Sequence, residues 1–311
     1  MRRIERVVIC GAGAVGSLYV PLLHDLGPGL VSVLAGGARR ERLRAEGLTV
    51  NGRRVDVPVV APGEASAPAD LLLVAVKQHH LARMIEDARG LVGPATIVLS
   101  LLNGITSEEV LGRAFGPEKV LHGFVLGTDS LRDGTRSRHS SMGVVWFGAP
   151  SNDPADPRVA AVRDLFERAR IPCRVPEDIL REQWFKFMLN VGVNQVTALL
   201  RATYGAFATV PELRDLTRAA ASEVVALSAR EGVALLPADV ERIFPIMAAL
   251  DPRGKTSMLQ DVEAGRKTEV EIFAGAVVEL GRRHGVPTPV NEVLGKLLAA
   301  VERLAGVTAE G

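Results

Sequence analysis

The sequence predicts an α/β domain followed by an all-helical domain, and two observations carry this prediction. In the first half of the chain, short apolar runs alternate with stretches of helical periodicity, which is typical of a doubly wound sheet. From about Asp178 this alternation stops, and only long helical stretches follow. We therefore expect a boundary at residue 177, with domains over 1–177 and 178–311.

Five continuous apolar runs are predicted to form the strands of the first domain. Continuous runs, unlike alternating ones, indicate strands that are covered on both faces, as in a parallel sheet. The runs occupy residues 7–10, 30–34, 71–76, 96–102 and 120–126, and a short further candidate lies at 173–175. Helical stretches such as 39–46 and 80–89 separate them.

Two turn signals add hairpins to this sheet. Asn51-Gly52 separates two short strand-forming segments and is a strong signal for a two-residue turn. Asp133-Gly134 is a second turn, and residues 143–148 are predicted to be its returning strand.

The second domain is predicted to contain helices over 181–200, 211–231, 238–250, 268–284 and 290–304. Pro237, Pro252 and Pro287 punctuate these stretches. Pro245 falls inside the third stretch, where it should kink or split the helix. An alanine-rich face over 218–226 leaves room for a homodimer contact.

Composition and charge narrow the range of partners and compartments. The chain carries 37 Lys and Arg against 36 Asp and Glu, so it has no electrostatic footprint for nucleic acid or a membrane surface. The first apolar segment is too interrupted by glycine for a membrane span or an ordinary secretory signal. Two cysteines, Cys10 and Cys173, predict a reducing, cytoplasmic location. The histidines show no zinc-ligand spacing, so we expect no metal site.

A glycine-rich turn directly after the first strand predicts a dinucleotide-binding domain of the Rossmann type. In Gly-x-Gly-x-x-Gly, Gly11 permits the tight turn, Gly13 lets the backbone approach a pyrophosphate, and Gly16 lets the helix pack closely. The alternative is a glycine-rich turn in another kind of α/β protein. The predicted cofactor loop consists of Gly11, Ala12, Gly13, Ala14, Val15 and Gly16.

The end of the second strand favours NADP(H) over NAD(H). A site selective for NAD places an acid there, whereas this chain has none and carries Arg39 and Arg40 shortly afterwards. A guanidinium suits the oxygens of a ribose 2′-phosphate. The alternative is that both arginines only begin a solvated helix.

Two further residues follow strand ends, where ligands bind in open α/β sheets. Lys77 follows the third predicted strand and Asn103 follows the fourth, so both are expected beside the cofactor. Lys77 could instead be a surface lysine, and Asn103 could form a turn with Gly104.

A polar stripe on an apolar helix is the candidate catalytic element. Lys186, Asn190 and Asn194 are spaced four residues apart and share one face. Burial disfavours the charged ammonium, so such a lysine could give a proton to a developing alkoxide while the asparagines hold the lysine and a substrate oxygen. The alternative is a structural stripe that bonds loop backbone.

Ser257 and Glu269 complete the predicted site. On one continuous helix they would be about 18 Å apart, too far to share a small substrate. Gly265, followed by Thr268 and a glutamate three residues later, indicates a break with a new helix from Glu269. Ser257 with Gln260 resembles a capping box. The alternatives are therefore a simple cap for Ser257 and a first-turn acid for Glu269.

Together these motifs resemble the ketopantoate reductase (2-dehydropantoate 2-reductase) family. The resemblance runs almost the whole length, through the glycine loop, Asn103-Gly104, the K-x3-N-x3-N motif, SMLQD with the following R-x-TE, and a closing HGVPTPVN. It implies hydride transfer from NADPH to the 2-keto carbon of ketopantoate, giving (R)-pantoate for pantothenate synthesis.

The resemblance also implies a role for each site residue. Lys186 is the expected general acid, and Glu269 the acid that orients substrate and ribose. Asn190, Asn194 and Ser257 are the expected substrate contacts. Lys77 and Asn103 correspond to the cofactor-binding lysine and asparagine of the family.

Two positions depart from the family pattern. Gly36 stands where many members carry the arginine for the 2′-phosphate, so Arg39 or Arg40 must replace it. Gly254 stands where many members have a substrate-binding asparagine. This second change leaves open a reductase for a different 2-keto acid. A non-catalytic protein that senses NADP(H) is a third hypothesis, against which a buried Lys186 argues.

Overall fold

The computed structural model describes residues 3–64 and 67–307, and the chain divides into two compact units. The first contains the chain up to Asn103 together with Ser107–Ile179. The second contains Gly104–Thr106 and the chain from Leu180 onward.

The main sheet of the first unit has eight strands in the order β12-β11-β8-β7-β6-β1-β2-β5, and a four-stranded sheet has the order β4-β3-β10-β9. The neighbouring strands of the main sheet from β8 to β5 are parallel, whereas β11 runs antiparallel to β8. In chain order the strands are β1 (Val7–Cys10), β2 (Val31–Leu34), β3 (Leu48–Val50), β4 (Arg53–Val55), β5 (Val59–Val60), β6 (Leu71–Val74), β7 (Ile97–Ser100), β8 (Val120–Thr128), β9 (Leu131–Asp133), β10 (Arg136–Arg138), β11 (Met142–Gly148) and β12 (Cys173–Arg174).

Helices cover both faces of the main sheet, which explains the continuous apolar runs. One core cluster combines Ile9 with Leu18 and Phe166, and the other combines Val8 with Met84. Alternate residues of one strand therefore enter different cores, as expected for a doubly wound sheet. The helices of this unit are α1 (Gly16–Leu26), α2 (Gly37–Glu46), α3 (Leu81–Ala88), α4 (Ser107–Phe115) and α5 (Pro157–Arg168).

The first predicted hairpin is confirmed, whereas the strand predicted to return from the second turn is wrong. Asn51 and Gly52 have φ angles of 48° and 82° and join β3 to β4, as predicted. The predicted partner of the Asp133-Gly134 turn was wrong, because β10 returns from it and pairs with β9. Strand β11 pairs instead with β8. The short strand β10 was missed because most of its side chains are polar and exposed.

The second unit is helical. Its core gathers apolar side chains from several helices, including Met188, Val224, Phe273 and Leu298. The helices are α6 (Ile179–Leu200), α7 (Ala206–Thr209), α8 (Pro211–Ser228), α9 (Pro237–Glu241), α10 (Ile243–Ala248), α11 (Ser257–Glu263), α12 (Ala274–His284) and α13 (Pro289–Leu304). Among the described residues, no helix combines the length and hydropathy needed to cross a membrane.

One proline and several small residues explain details of this unit. The predicted helix over 238–250 is split at Arg242, since Pro245 cannot donate to the Glu241 carbonyl and its ring clashes there. On α8, Ala220 and Ala221 are fully buried. A side chain at Gly192 would touch Ala221, so Ala221 packs against α6. The Ala220 carbonyl oxygen accepts from Asn291 of α13, so neither alanine belongs to an exposed face.

The predicted helix over 268–284 begins later than expected. Thr268 donates its hydroxyl to Glu302 Oε1 at 2.5 Å, which ties it to α13. A single turn of 3₁₀ helix follows at Val270–Ile272, and α12 begins at Ala274. The predicted break is present, since α11 ends at Glu263.

Candidate functional site

The surroundings of the three glycines in the loop differ in how much space they leave for a side chain. Gly11 has a φ of 96°, and a Cβ there would lie 2.7 Å from the Ala75 carbonyl oxygen. A Cβ on Gly16 would overlap the Gly11 carbonyl oxygen. At Gly13 the nearest atom to a Cβ would be Arg132 Nη1, 4.0 Å away. The fold therefore requires glycine at 11 and 16, whereas Gly13 presents an open backbone surface.

Three parallel strands end together beside this loop. Cys10 pairs with Val74, and Val74 pairs with Ser100, so β1, β6 and β7 end at the same edge. Lys77 and Asn103 each follow one of these ends and are half-buried. The first unit thus brings the glycine loop, Lys77 and Asn103 to one edge of the sheet.

A buried network that the sequence analysis missed holds the segment after β7. The Ser100 and Ser107 hydroxyls lie 2.7 Å apart, and Ser107 donates to Glu108 Oε2 at 2.9 Å. Ser100 Oγ also accepts from the Leu102 amide at 3.3 Å. The network therefore fixes the backbone immediately before Asn103. In the sequence, Glu108 only indicates an acid in the first turn of a helix.

The two predicted arginines behave differently. Arg39 is half-buried and donates to the Ala12 carbonyl oxygen at 2.8 Å, so its guanidinium lies against the glycine loop. Arg40 instead forms an ion pair with Glu64 at 2.6 Å. The geometry favours Arg39 over Arg40 as a contact for a phosphate.

Two further arginines lie near Arg39. Arg42 and Arg132 line the same cavity of about 90 Å³ with Arg39. Arg42 lies on the face of α2 that carries Arg39, so helical spacing could have identified it. Arg132 belongs to β9, and no local pattern connects that strand with the glycine loop.

The predicted polar stripe is present on α6 and is buried. Lys186, Asn190 and Asn194 are 9%, 9% and 7% exposed. Elsewhere on the same helix, the Gln195 amide donates to Asn291 Oδ1 at 2.9 Å, which is an ordinary core contact. The helix thus combines a structural polar contact with a lysine–asparagine stripe on a separate face.

Helix α11 is bonded to α6 at its N-terminus. Thr256, and not Ser257, is the N-cap, because its hydroxyl accepts from the Leu259 amide at 3.2 Å. The predicted cap was therefore wrong by one residue. The Thr256 hydroxyl also lies 2.9 Å from that of Thr197 on α6. Ser257 becomes the first helical residue, free from the capping role that was the alternative explanation.

Glu269 lies just before the 3₁₀ turn, half-buried, and not in the first turn of a long helix. Gly104 touches this turn, since a Cβ there would lie 3.5 Å from Ile272. The Gly104 carbonyl oxygen also accepts from Gln183 Nε2 at 3.4 Å. Gln183 precedes Lys186 by one helical turn, so these contacts connect the Glu269 turn with the start of the stripe.

Gly254 is packed against an aromatic ring. A Cβ at this position would lie 2.7 Å from Tyr204 Cδ2, so a larger residue would collide with the ring. The Tyr204 amide donates to the Gly254 carbonyl oxygen at 3.0 Å. Burial raises the pKa of the Tyr204 hydroxyl. Tyr204 thus fills the space of the side chain that Gly254 lacks. Within residues 3–64 and 67–307, no group of three or more His, Cys, Asp or Glu could hold a metal ion.

Comparisons with known proteins agree with this architecture. Residues 7–152 match the family model described as ketopantoate reductase PanE/ApbA, and residues 178–302 match the model of its C-terminal part. The 2-dehydropantoate 2-reductase of Archaeoglobus fulgidus is 31% identical over 305 residues, covering 96% of this chain and 99% of that protein.

Solved structures of other proteins share this fold over nearly the whole chain. The 2-dehydropantoate 2-reductase of Geobacter metallireducens is 29% identical with a TM-score of 0.84, covering 95% of this chain and 99% of that one. A D-mandelate dehydrogenase in complex with NADH and anilino(oxo)acetate has a TM-score of 0.86 at 24% identity, covering 97% and 100%, and shares the fold.

A parallel dinucleotide-type sheet joined to a helical unit defines a class of pyridine-nucleotide oxidoreductases. Within that class, the chain belongs to the ketopantoate reductase family. The predicted fold class and the family resemblance are both confirmed.

Proposed function

We propose that the protein reduces ketopantoate to (R)-pantoate with NADPH. The observation that carries this proposal is the burial of Lys186 on one stripe with Asn190 and Asn194, in a chain of the ketopantoate reductase family. The remaining site residues are assigned separately within each of the two units.

The residues of the first unit fit a dinucleotide. Gly13 offers an open backbone surface next to the N-terminus of α1, where the dipole and free amides favour a pyrophosphate. Lys77 and Asn103 are assigned to the cofactor because they share its sheet edge. When bound, the nicotinamide supplies the hydride for the keto carbon.

Lys186 Nζ is the proposed proton donor. As the keto carbon accepts hydride, its oxygen becomes an alkoxide, and the ammonium donates its proton to that oxygen. Asn190 and Asn194, on the same face, can donate amide hydrogens to substrate oxygens and hold the carbonyl near Nζ. Burial strengthens these interactions, because there is little water to screen them.

Ser257 and Glu269 are assigned to the substrate. Ser257 begins α11, so its own hydroxyl and the first-turn amides that Thr256 does not cap suit a carboxylate. Glu269 can accept hydrogen bonds from hydroxyl groups, which is the role of an acid that orients substrate and ribose.

The experiment that tests the proposal is nicotinamide absorbance decay with ketopantoate, run with NADPH and with NADH. We expect rapid oxidation of NADPH, slower oxidation of NADH, and (R)-pantoate as the product on chiral chromatography. Absence of turnover, with intact NADPH binding, would contradict ketopantoate as substrate.

A different 2-keto acid is the second candidate substrate, and the Tyr204–Gly254 contact favours it. The ring replaces a polar side chain with an aromatic surface near the N-terminus of α11, and an apolar acceptor would suit that surface. A panel of branched and aromatic 2-keto acids separates the two candidates. A non-catalytic NADP(H) sensor would show no turnover with any of them.

A cytoplasmic location and a homodimer belong to the same proposal, although the buried alanines of α8 do not supply the dimer contact. Sedimentation equilibrium measures the second directly. A mass near the 33.1 kDa of one chain would contradict the dimer.

A further inference from the structure

Three arginines, from one helix and one strand, line a small cavity in the first unit. Arg39 and Arg42 come from α2, and Arg132 comes from β9 of the four-stranded sheet. All three line the cavity of about 90 Å³, together with Gly134 and Thr135. A cavity of this size holds several waters or one small anion.

The cluster is electrostatically unfavourable when no anion is present. Burial, with the neighbouring charges of Arg132 and Arg42, lowers the pKa of Arg39 to about 10. Arg132 is exposed overall, but partial desolvation of its guanidinium and the charge of Arg42 likewise lower its pKa. Among the residues that the structure describes, none of the three guanidiniums forms an ion pair with a carboxylate. By contrast, Arg40 beside them is neutralised by Glu64.

The position of the cluster identifies the part of a dinucleotide that it faces. Arg39 and Arg42 follow β2, the strand end at which the adenosine ribose of a dinucleotide lies. Arg39 is anchored on the Ala12 carbonyl oxygen, and Arg132 Nη1 is the nearest atom to the open side of Gly13. The pyrophosphate belongs at the N-terminus of α1, so the anion expected at α2 is a phosphate on the ribose.

We propose that Arg132 and Arg42 complete, with Arg39, the site that distinguishes NADPH from NADH by its 2′-phosphate. This inference rests on the proposed function and deepens its cofactor assignment. The guanidinium of Arg132 reaches the loop from a hairpin outside the main sheet. It thereby supplies the positive charge that Gly36, at the usual position, cannot provide. Arg40 is not part of this site because Glu64 holds it.

Binding measurements test the site independently of turnover. Isothermal titration calorimetry with 2′,5′-ADP and with 5′-AMP compares two ligands that differ only in the 2′-phosphate. We expect Arg132→Ala and Arg42→Ala each to weaken the binding of 2′,5′-ADP by about tenfold or more, since a charge-assisted hydrogen bond is lost. Binding of 5′-AMP should change less than twofold.

Arg44→Ala is the matched control, because it removes the same charge from an exposed position on α2 away from the cavity. This variant should bind both ligands with unchanged affinity. Thermal unfolding of every variant checks that the fold is retained. Arg132→Lys, which keeps the charge but not the planar fork, should recover part of the affinity.

Three results would overturn the proposal. One is an unchanged affinity of Arg132→Ala and Arg42→Ala for 2′,5′-ADP. Another is an equal loss of affinity for 2′,5′-ADP and for 5′-AMP, which would place the arginines against the part that the two ligands share. The last is an equal loss in Arg44→Ala, which would indicate a general charge effect. None of these depends on ketopantoate turnover, so failure of the substrate assignment remains distinguishable.

Discussion

The Thr197 hydroxyl on α6 lies 2.9 Å from the hydroxyl of Thr256, the N-cap of α11. Both side chains are buried. The bond joins the helix that carries the lysine–asparagine stripe to the first turn of the helix that begins with Ser257. It therefore fixes the position of the proposed carboxylate contact relative to the proposed proton donor.

Removing this bond should affect both stability and substrate affinity. Thr197→Val removes the partner of the Thr256 hydroxyl on α6 and leaves it only the bond from the Leu259 amide, so we expect the free energy of unfolding to fall by about 1–3 kcal/mol. We also expect KM for the keto acid to rise more than kcat falls. Urea denaturation and steady-state kinetics measure the two effects.

The matched control is Thr217→Val, at a buried threonine whose hydroxyl has no hydrogen-bond partner in the part of the chain that the structure describes. The control should be neutral or slightly stabilising. Equal effects of both substitutions would show that the hydroxyl pair has no particular role.

Gly13 and Gly16 of the loop should respond differently to alanine. Gly13→Ala meets open space, so the melting temperature should stay within about 2 °C of wild type while NADPH affinity falls, because the Cβ blocks the approach of the phosphates. Gly16→Ala collides with backbone and should lower the melting temperature by several degrees. Calorimetry and thermal unfolding separate these results. Unchanged NADPH affinity in Gly13→Ala would exclude the loop from cofactor binding.

Position 254 and Tyr204 should be energetically coupled. Gly254→Asn alone places a Cβ against the ring and should destabilise the protein, whereas Gly254→Asn combined with Tyr204→Ala should recover part of that loss. The double variant should also shift kcat/KM away from aromatic keto acids and toward polar ones. Denaturation and a substrate panel measure both changes, and additive destabilisation would show that the two positions act separately.

The protonation of His80 reports on the charges of two proposed cofactor residues, Arg39 and Lys77. Burial of the ring, with the charges of Arg39 and Lys77, lowers the pKa of His80 below 6.5. As pH falls, the unfolded chain binds this proton first, so stability begins to decrease near pH 6.5 and the loss is complete only below the lowered pKa of the folded state. NMR titration should show a pKa that rises in Arg39→Ala and on binding NADPH. His80→Gln identifies the resonance, and a pKa insensitive to both changes would contradict this arrangement.

The elements with continuous apolar runs could be predicted from sequence because burial on both faces leaves a strong local signal. The buried strands β1, β6 and β7 show this, and the break at Pro245 follows from one residue's geometry. The strand β10 could not be predicted, since its arginines carry no apolar pattern.

Residues of the candidate site could be proposed from sequence where they lie on one element, and not where tertiary contacts bring them together. The stripe from Lys186 to Asn194 lies on a single helix, so its spacing identifies it. The cap of α11 was assigned to Ser257, because Thr256 and Ser257 both suit the local pattern and only the contact with Thr197 selects between them. Arg132 reaches the glycine loop from a hairpin that is distant in sequence, so the spacing of residues does not indicate that contact.

The most direct test of the central claim is the kcat of Lys186→Ala for ketopantoate reduction, measured with NADPH affinity in the same preparation. Loss of the proton donor should lower kcat by a factor of about 10² to 10⁴. Affinity for NADPH should change less than twofold, and Lys296→Ala, at an exposed lysine of the same unit, should leave both values unchanged. A kcat for Lys186→Ala within threefold of wild type would contradict the assignment of Lys186 as proton donor.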